Sequence, residues 1–432
     1  MAGGVNNRLF GRRTATASAH MDGIKSEARL WIEAGARRLG CLLSSIFERK
    51  MAGAARKKRV ARGSKKKKGG VQDAVSELTD DVLADILSRT LAGFFYKSHD
   101  INRYPKSARH FINVSGAGQA LIDPSLSFLP RYARIDIVDS CNGLLLCRGR
   151  KSSNPLTMDY VVCNPATKKW VVVPDSGWSS KVNPMCCEDV RIARLGFDPV
   201  VSSHFNVFEF IPDDVWYMHD VEINNRYLDG RIKAVAIYSS KTRVWNFNED
   251  NNQLGDEFLM PTDSKSVFFN GVLHLTTFYG MVVAIDVEGN ILRCIPVPIP
   301  NFEDYDDHIG DVYLSQGHLY FAAQCASDES DDYELSVWVL EDYNNEKWSL
   351  KHNVNALHLF GEHYFSKFRY NFSVISFHPE HDTVFMVCGT DKRLMSYEMG
   401  HMRLRSIRRL GCSWTPYIPY VPLFSGPLAD EH

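Results

Sequence analysis

One eight-residue frame recurs along the chain, and it restricts the possible folds more than any other feature. CNPATKKW (Cys163–Trp170) and YSSKTRVW (Tyr238–Trp245) share it. IDVEGNIL (Ile285–Leu292) and YEMGHMRL (Tyr397–Leu404) fit it, and Val339–Trp348 fits with two extra residues. Each reads as a strand rich in β-branched and aromatic residues, a polar turn, and a second strand. The frames end at residues 170, 245, 292, 348 and 404, so one unit recurs about every fifty residues.

A second element precedes the frames. CNGLLLC (Cys141–Cys147), NGVLHL (Asn270–Leu275) and QGHLYF (Gln316–Phe321) each carry a glycine followed by an apolar strand. GFDP (Gly196–Pro199) and SFHP (Ser376–Pro379) are variants that lead into FNVFEF and TVFMVCG. The reading is a turn that feeds an inner strand, then a middle strand, then the hairpin. Four strands per unit is the signature of propeller blades. Such a unit cannot bury both faces alone, and stacking around an axis solves that. A β-sandwich array is the alternative, and the repeated hairpin argues against it. The expectation is a mainly β chain holding a single β-propeller of about six blades, each of four antiparallel strands. Five blades lie between Asp139 and Leu410. A sixth comes from Ala92–Val114, closed by TPYIPYVPLF near the C-terminus, because a strand borrowed from the far end removes an open edge.

Charge divides the chain. Residues 1–70 hold 18 Lys and Arg against 4 Asp and Glu, while the remainder holds 32 against 47. Residues 1–70 therefore read as a basic, largely disordered extension, with one amphipathic stretch at 25–47. Within it, Arg56, Lys57, Lys58 and Arg59 form one cluster and Lys65, Lys66, Lys67 and Lys68 a second. Two such clusters predict a nuclear-localisation signal or a polyanion patch, and a nuclear or cytoplasmic protein. Nucleic acid is expected only as a non-specific contact of this tail. The ten cysteines include no C-x-x-C pair, and several sit inside apolar runs, which reads as reduced thiols. No run of about 18 apolar residues predicts a membrane span.

Between tail and blades, Leu78, Val82, Leu83, Ile86 and Leu87 repeat at helical spacing. Thr79 stands at the N-cap, and Asp80 and Asp81 oppose the helix dipole. LTDDVLADILSR (Leu78–Arg89) resembles the first helix of the F-box. SCNGLLLC (Ser140–Cys147) and NPATKKWVVVP (Asn164–Pro174) resemble hallmarks of the F-box-associated, kelch-like propeller of plant F-box proteins. The resemblance implies a substrate-recognition subunit of a Skp–cullin–F-box ubiquitin ligase. The propeller would bind a target protein. Leu78, Val82, Leu83, Ile86 and Leu87 would dock the Skp adaptor, which links to cullin. Thr79 replaces the family's usual proline. The second F-box helix has no counterpart, and the chain passes directly into LAGFFYKS. The F-box is thus expected to be truncated to residues 75–90, with the propeller over 91–425. An adaptor-independent interaction propeller, competing with full-length relatives, is the alternative.

No G-x-x-x-x-G-K-[ST], H-E-x-x-H or G-x-S-x-G is present. No catalytic residues, cofactor or metal are expected, and a propeller enzyme or sugar-binding propeller is the third class considered. Exposed aromatics anchor protein interfaces. Trp178, Trp216, Tyr217, His219 and Trp414 are the substrate-rim candidates. Three of them fall in Ile211–Arg231, which reads as the longest insertion between blades.

Overall fold

The computed structural model describes residues 91–99, 107–116, 122–130, 132–150, 158–177, 192–217, 228–248, 259–261, 264–277, 280–299, 310–326, 333–361, 372–411, 413–424 and 428; for some strand residues, Trp414 among them, only the backbone is described. The chain divides into two compact units, Met1–Ile86 with Ser115–Leu121, and Leu87–Val114 with Ile122–His432. Of the first, only Ser115 and Gly116 are described. The basic tail, the stretch 25–47 and the F-box-like residues Leu78 to Leu87 lie outside the described residues.

The second unit is a six-bladed β-propeller. Blade 1 runs Arg134–Cys141, Leu144–Arg150, Met158–Asn164 and Lys169–Val173 from the axis outward. Blade 2 runs Ile192–Gly196, Asn206–Tyr217, Leu228–Ser239 and Val244–Asn248, with Leu259–Met260 added to its third strand. Blade 3 runs Ser266–Phe269, Val272–Thr276, Met281–Ile285 and Ile291–Pro296. Blade 4 runs Asp311–Ser315, His318–Ala326, Tyr333–Asp342 and Lys347–Asn355, and a short helix, Ala356–Phe360, follows it. Blade 5 runs Phe372–Phe377, Thr383–Cys388, Arg393–Glu398 and Arg403–Arg409. Blade 6 closes the ring. Its inner strand is Ser413–Tyr420, from the far end of the chain, and Gly93–His99 and Ser107–Asn113 complete its described strands. Each inner strand neighbours the next, and Ser413–Tyr420 touches the inner strands of both blade 5 and blade 1.

Turn chemistry sets this register. Asn142-Gly143, Asn270-Gly271 and Gln316-Gly317 all have positive φ at both residues. They are two-residue loops, joining Cys141 to Leu144, Phe269 to Val272 and Ser315 to His318. That is the type I′ geometry, whose twist matches paired strands. The structure corrects one detail. The glycine turn follows the inner strand and feeds the second strand, so the inner strand lies one element earlier than the sequence reading placed it. The outer hairpins obey the eight-residue frame closely: Cys163 pairs with Trp170, Tyr238 with Trp245 and Tyr397 with Leu404. The other two frames slip by one residue, with Ile285 opposite Ile291 and Leu340 opposite Trp348, because a bulge adds a residue in each.

The second and third strands of the blades are largely buried on both faces, which explains their runs of apolar residues. Thr383–Cys388 is buried throughout. Neighbouring positions serve different gaps: Val207 packs against Leu144 and Val162 of blade 1, and Phe208 packs with Phe268 and Leu273 of blade 3. Blades are also latched at their outer edge. The Trp245 indole donates to the Pro174 carbonyl at 2.7 Å, and the Trp348 indole to the Pro296 carbonyl at 3.0 Å. The tryptophan that ends each of these frames thus reaches back to the blade before it.

His274, buried in blade 3, bonds the Tyr343 hydroxyl of blade 4 at 2.8 Å through Nε2. Burial pushes its pKa down to about 4. An unfolded chain takes up a proton near pH 6.5 that the folded chain refuses until about pH 4. This site therefore costs nothing above pH 6.5, and stability falls as pH drops from there toward 4. Between pH 7 and 5 the expected loss is about 2 kcal/mol. Burial also lowers the pKa of His110 and His352, which act in the same sense. Urea melts at pH 7 and 5 should show the fall, and His274→Gln should reduce it; an equal fall in the variant would refute the assignment.

Candidate functional site

The two faces of the propeller are built differently. Connections from inner to second strand, and from third to outer strand, emerge on one face. They are residues 142–143, 270–271, 316–317 and 378–382, with 197–205 the longest, and 165–168, 240–243, 286–290, 343–346 and 399–402. We call this the hairpin face. The strands that lead into second-to-third and blade-to-blade connections end on the other, at Arg150, Val173, Tyr217, Asn248, Pro296, Ala326 and Asn355, and the long connections after them lie largely outside the described residues. Long connections are where binding residues concentrate on a rigid scaffold. The loop face is therefore the candidate site.

Side chains on the inner strands tie neighbouring blades together beside the axis. The half-buried Asp139 carboxylate accepts from the Leu195 and Ser140 amides, both at 2.8 Å, and so ties blade 1 to blade 2. Burial raises its pKa, against the pull of the Arg194 guanidinium and its amide donors. Arg194 donates to Ala193 O at 2.9 Å and to Ser264 O at 2.6 Å, linking blade 2 to the entry of blade 3. Asp311 accepts from the Lys265 amide at 2.9 Å, linking blades 3 and 4. The Tyr313 hydroxyl donates to Val374 O at 3.0 Å, linking blades 4 and 5. Four consecutive seams thus carry a side-chain tie beside the axis. A cavity of about 250 Å³ lies among the inner strands, lined by Ser140, Ser266, Tyr313, Ser376 and Pro419, one residue from each of five blades, and by Lys265 at the entry to blade 3. The Lys265 ammonium sits 6.0 Å from the Tyr313 ring centroid.

The described titratable groups have structural surroundings. Burial raises the thiol pKa values of Cys141, Cys163 and Cys388. Among the described residues no three His, Cys, Asp or Glu side chains group as a metal site. His378 and His381 stack at 4.4 Å beside Asp382, which accepts from Lys351 and Gln316, both at 2.7 Å.

The substrate-rim candidates fall as follows. Trp216 and Tyr217 end the second strand of blade 2, and Trp414 starts the inner strand of blade 6, so their backbones reach the loop face. Trp178 and His219 lie in connections outside the described residues. Ile211–Arg231 is not an insertion between blades. It joins the second and third strands within blade 2, and both strands continue into it until Tyr217 pairs with Leu228. What sequence reasoning missed is the set of inner-seam ties at Asp139, Arg194 and Asp311, whose only signal is a charged residue inside an apolar strand.

A family model described as F-box protein At3g26010-like, beta-propeller, matches residues 117–409. The chain belongs to that family. The match spans blades 1 to 5 and stops before the closing strand, so the strands of blade 6 lie outside it. No curated protein matches the chain. Among solved structures, the nidogen/laminin complex shares 7% identity over 76% of this chain and 98% of that one, with a TM-score of 0.35. The mitotic checkpoint complex shares 10% over 70% and 87%, with a TM-score of 0.33. The computationally designed Ika8 protein shares 9% over 63% of this chain, with a TM-score of 0.31, and the chain spans 61% of that protein's length. Likenesses at this level carry no functional argument.

Proposed function

We propose that this chain is a substrate-recognition subunit of a Skp–cullin–F-box ubiquitin ligase, its loop face holding the target protein. Membership of an F-box propeller family supports a substrate-binding role and, in general terms, an adaptor and a protein target as partners. The observation that carries the reading is the polarity of the propeller. The chain enters blade 6 through Leu91 and Ala92, and the Ala92 amide bonds Tyr420 O at the hairpin-face end of the closing strand. Leu91 and Ala92 thus stand at the face opposite the long connections, and a target on the loop face would not cover them. The subunit's contribution is proximity and orientation, and it needs no catalytic group of its own.

The second reading is a propeller that binds the same target without the adaptor. It is favoured by the shortness of the F-box-like segment, since one helix of this length is marginal alone and covers little area. Titration of the full chain against the Skp adaptor separates the two. Micromolar binding that Leu83→Asp with Ile86→Asp abolishes is the expected result for the ligase subunit. Absence of binding at high micromolar concentration would leave the adaptor-independent reading.

A further inference from the structure

Beside the axis, most charged side chains serve a seam between blades. Asp139 joins blade 1 to blade 2, Arg194 joins blade 2 to the entry of blade 3, and Asp311 accepts from the Lys265 amide. The Lys265 ammonium is left over. It forms no hydrogen bond or ion pair with the described residues. Its one partner is the Tyr313 ring, with the centroid 6.0 Å away, and a ring face leaves the positive charge uncompensated. Lys265 also lines the axial cavity of about 250 Å³, and among the described residues it is the only charged one to do so. Asp139 and Asp311 do not line it.

The cavity is polar at one end and apolar along its walls. It reaches the hairpin face, where Asn142, Gly317 and Pro379 line it. Lys265 precedes the inner strand Ser266–Phe269 and so stands at the opposite end. Four residues of strand span about 13 Å. Val267, Phe268, Leu314 and Ile375 line the walls. Two of the hydroxyls beside Lys265 are already engaged: Ser266 donates to Asp139, and Ser376 donates to Phe377 O at 3.1 Å. The Ser140 hydroxyl makes no hydrogen bond with the described residues, so it is a second donor open to a ligand.

An unpaired ammonium at the base of a narrow apolar channel selects one chemistry. The charge is poorly screened there and favours an anion, while the walls favour hydrocarbon. The volume matches about eight non-hydrogen atoms, taking ~30 Å³ for each as in liquid water. We propose that the axial cavity binds a small monocarboxylate with an apolar body, its carboxylate on Lys265 and its hydrocarbon directed along the channel toward the hairpin face. Leu91 and Pro419 of the closing blade also line the cavity, so the ligand touches both the first and the last strand of the ring. Binding there favours the closed propeller, because a ligand held only by the folded ring raises its stability by mass action.

The test uses the full chain with hexanoate as the probe, followed by titration calorimetry and thermal melts. Hexanamide removes the charge and acetate removes the body. Lys265→Met removes the ammonium but keeps the stem and the backbone amide that bonds Asp311. Lys241→Met, on an exposed hairpin-face turn, controls for the loss of one positive charge. A ligand of this size is expected to bind in the high-micromolar to millimolar range. The expected result is saturable hexanoate binding that raises the thermal midpoint, at least tenfold weaker in Lys265→Met and unchanged in Lys241→Met. Hexanamide and acetate should each bind the parent at least tenfold more weakly, a comparison that needs no substitution. Absence of saturable binding at about 10 mM hexanoate overturns the proposal. Equal affinity in Lys265→Met, or equal affinity for hexanamide or acetate, overturns it too. A peptide with a free C-terminal leucine is run in parallel; if it binds tighter than hexanoate and with the same dependence on Lys265, the site stands and a chain terminus is the source of the carboxylate.

Discussion

Tyr420→Ala should lower the unfolding free energy by about 3–5 kcal/mol. Tyr420 is fully buried, and its ring completes a cluster that crosses all three described strands of blade 6. Phe95 meets Phe111 at 4.8 Å and Tyr420 at 5.7 Å, and Phe111 meets Tyr420 at 6.3 Å, each edge-on. Edge-on pairs add to the area term. The cluster is also the covalently unsupported joint of the ring, because Tyr420 comes from the far end of the chain. The residues after it are anchored under blade 1, where the Asn164 amide donates to Leu423 O at 2.9 Å. Tyr420→Phe keeps the rings and should cost about 1 kcal/mol or less. Denaturant melts of the two variants decide the matter: a loss below about 1 kcal/mol for the alanine variant would mean that the closing strand contributes little.

Gly310→Ala should cost about 3 kcal/mol or more, for two independent reasons. Gly310 has φ +134, which side chains rarely adopt, and a Cβ there would sit 2.5 Å from the Ala322 carbonyl oxygen and 2.9 Å from the Ala323 Cβ. That oxygen belongs to the strand paired with Asp311–Ser315, so it cannot retreat without breaking the ladder. Displacing Asp311 would also break its bond to the Lys265 amide. Gly317→Ala is the matched control. Its φ is +73 but nothing lies within 4 Å, so only the conformational cost of about 1 kcal/mol is expected. Equal thermal midpoints for the two variants would refute the steric argument.

The fold was legible in the sequence where local rules decide it. Turn residues with positive φ, apolar runs buried on both faces and the tryptophan of the outer hairpin are each set within eight residues of chain. Closure by TPYIPYVPLF was also legible, because a ring of strands needs a partner for its first edge. What escaped depends on partners distant in sequence or on one added residue. Which strand lies innermost is decided by contacts between blades. Pro212 and the two aspartates after it read as a loop, yet register shifts between Ile211 and Val215 carry the strand through them. Exposure of the candidate aromatics depends on loop packing, which periodicity does not encode.

The closing blade has a kinetic consequence. Gly93–His99 is among the first parts of the propeller to be synthesised, and its partner Ser413–Tyr420 among the last. Blades 1 to 5 pair strands that are near neighbours in sequence, so they can form as the chain grows. Phe94 and Phe95 must wait for most of the protein to be made before their final partners exist. Closure is thus the contact of highest sequence separation, and such contacts form slowly. Until then the ring is an open arc with apolar strands at both ends, the species most exposed to aggregation and most in need of a chaperone.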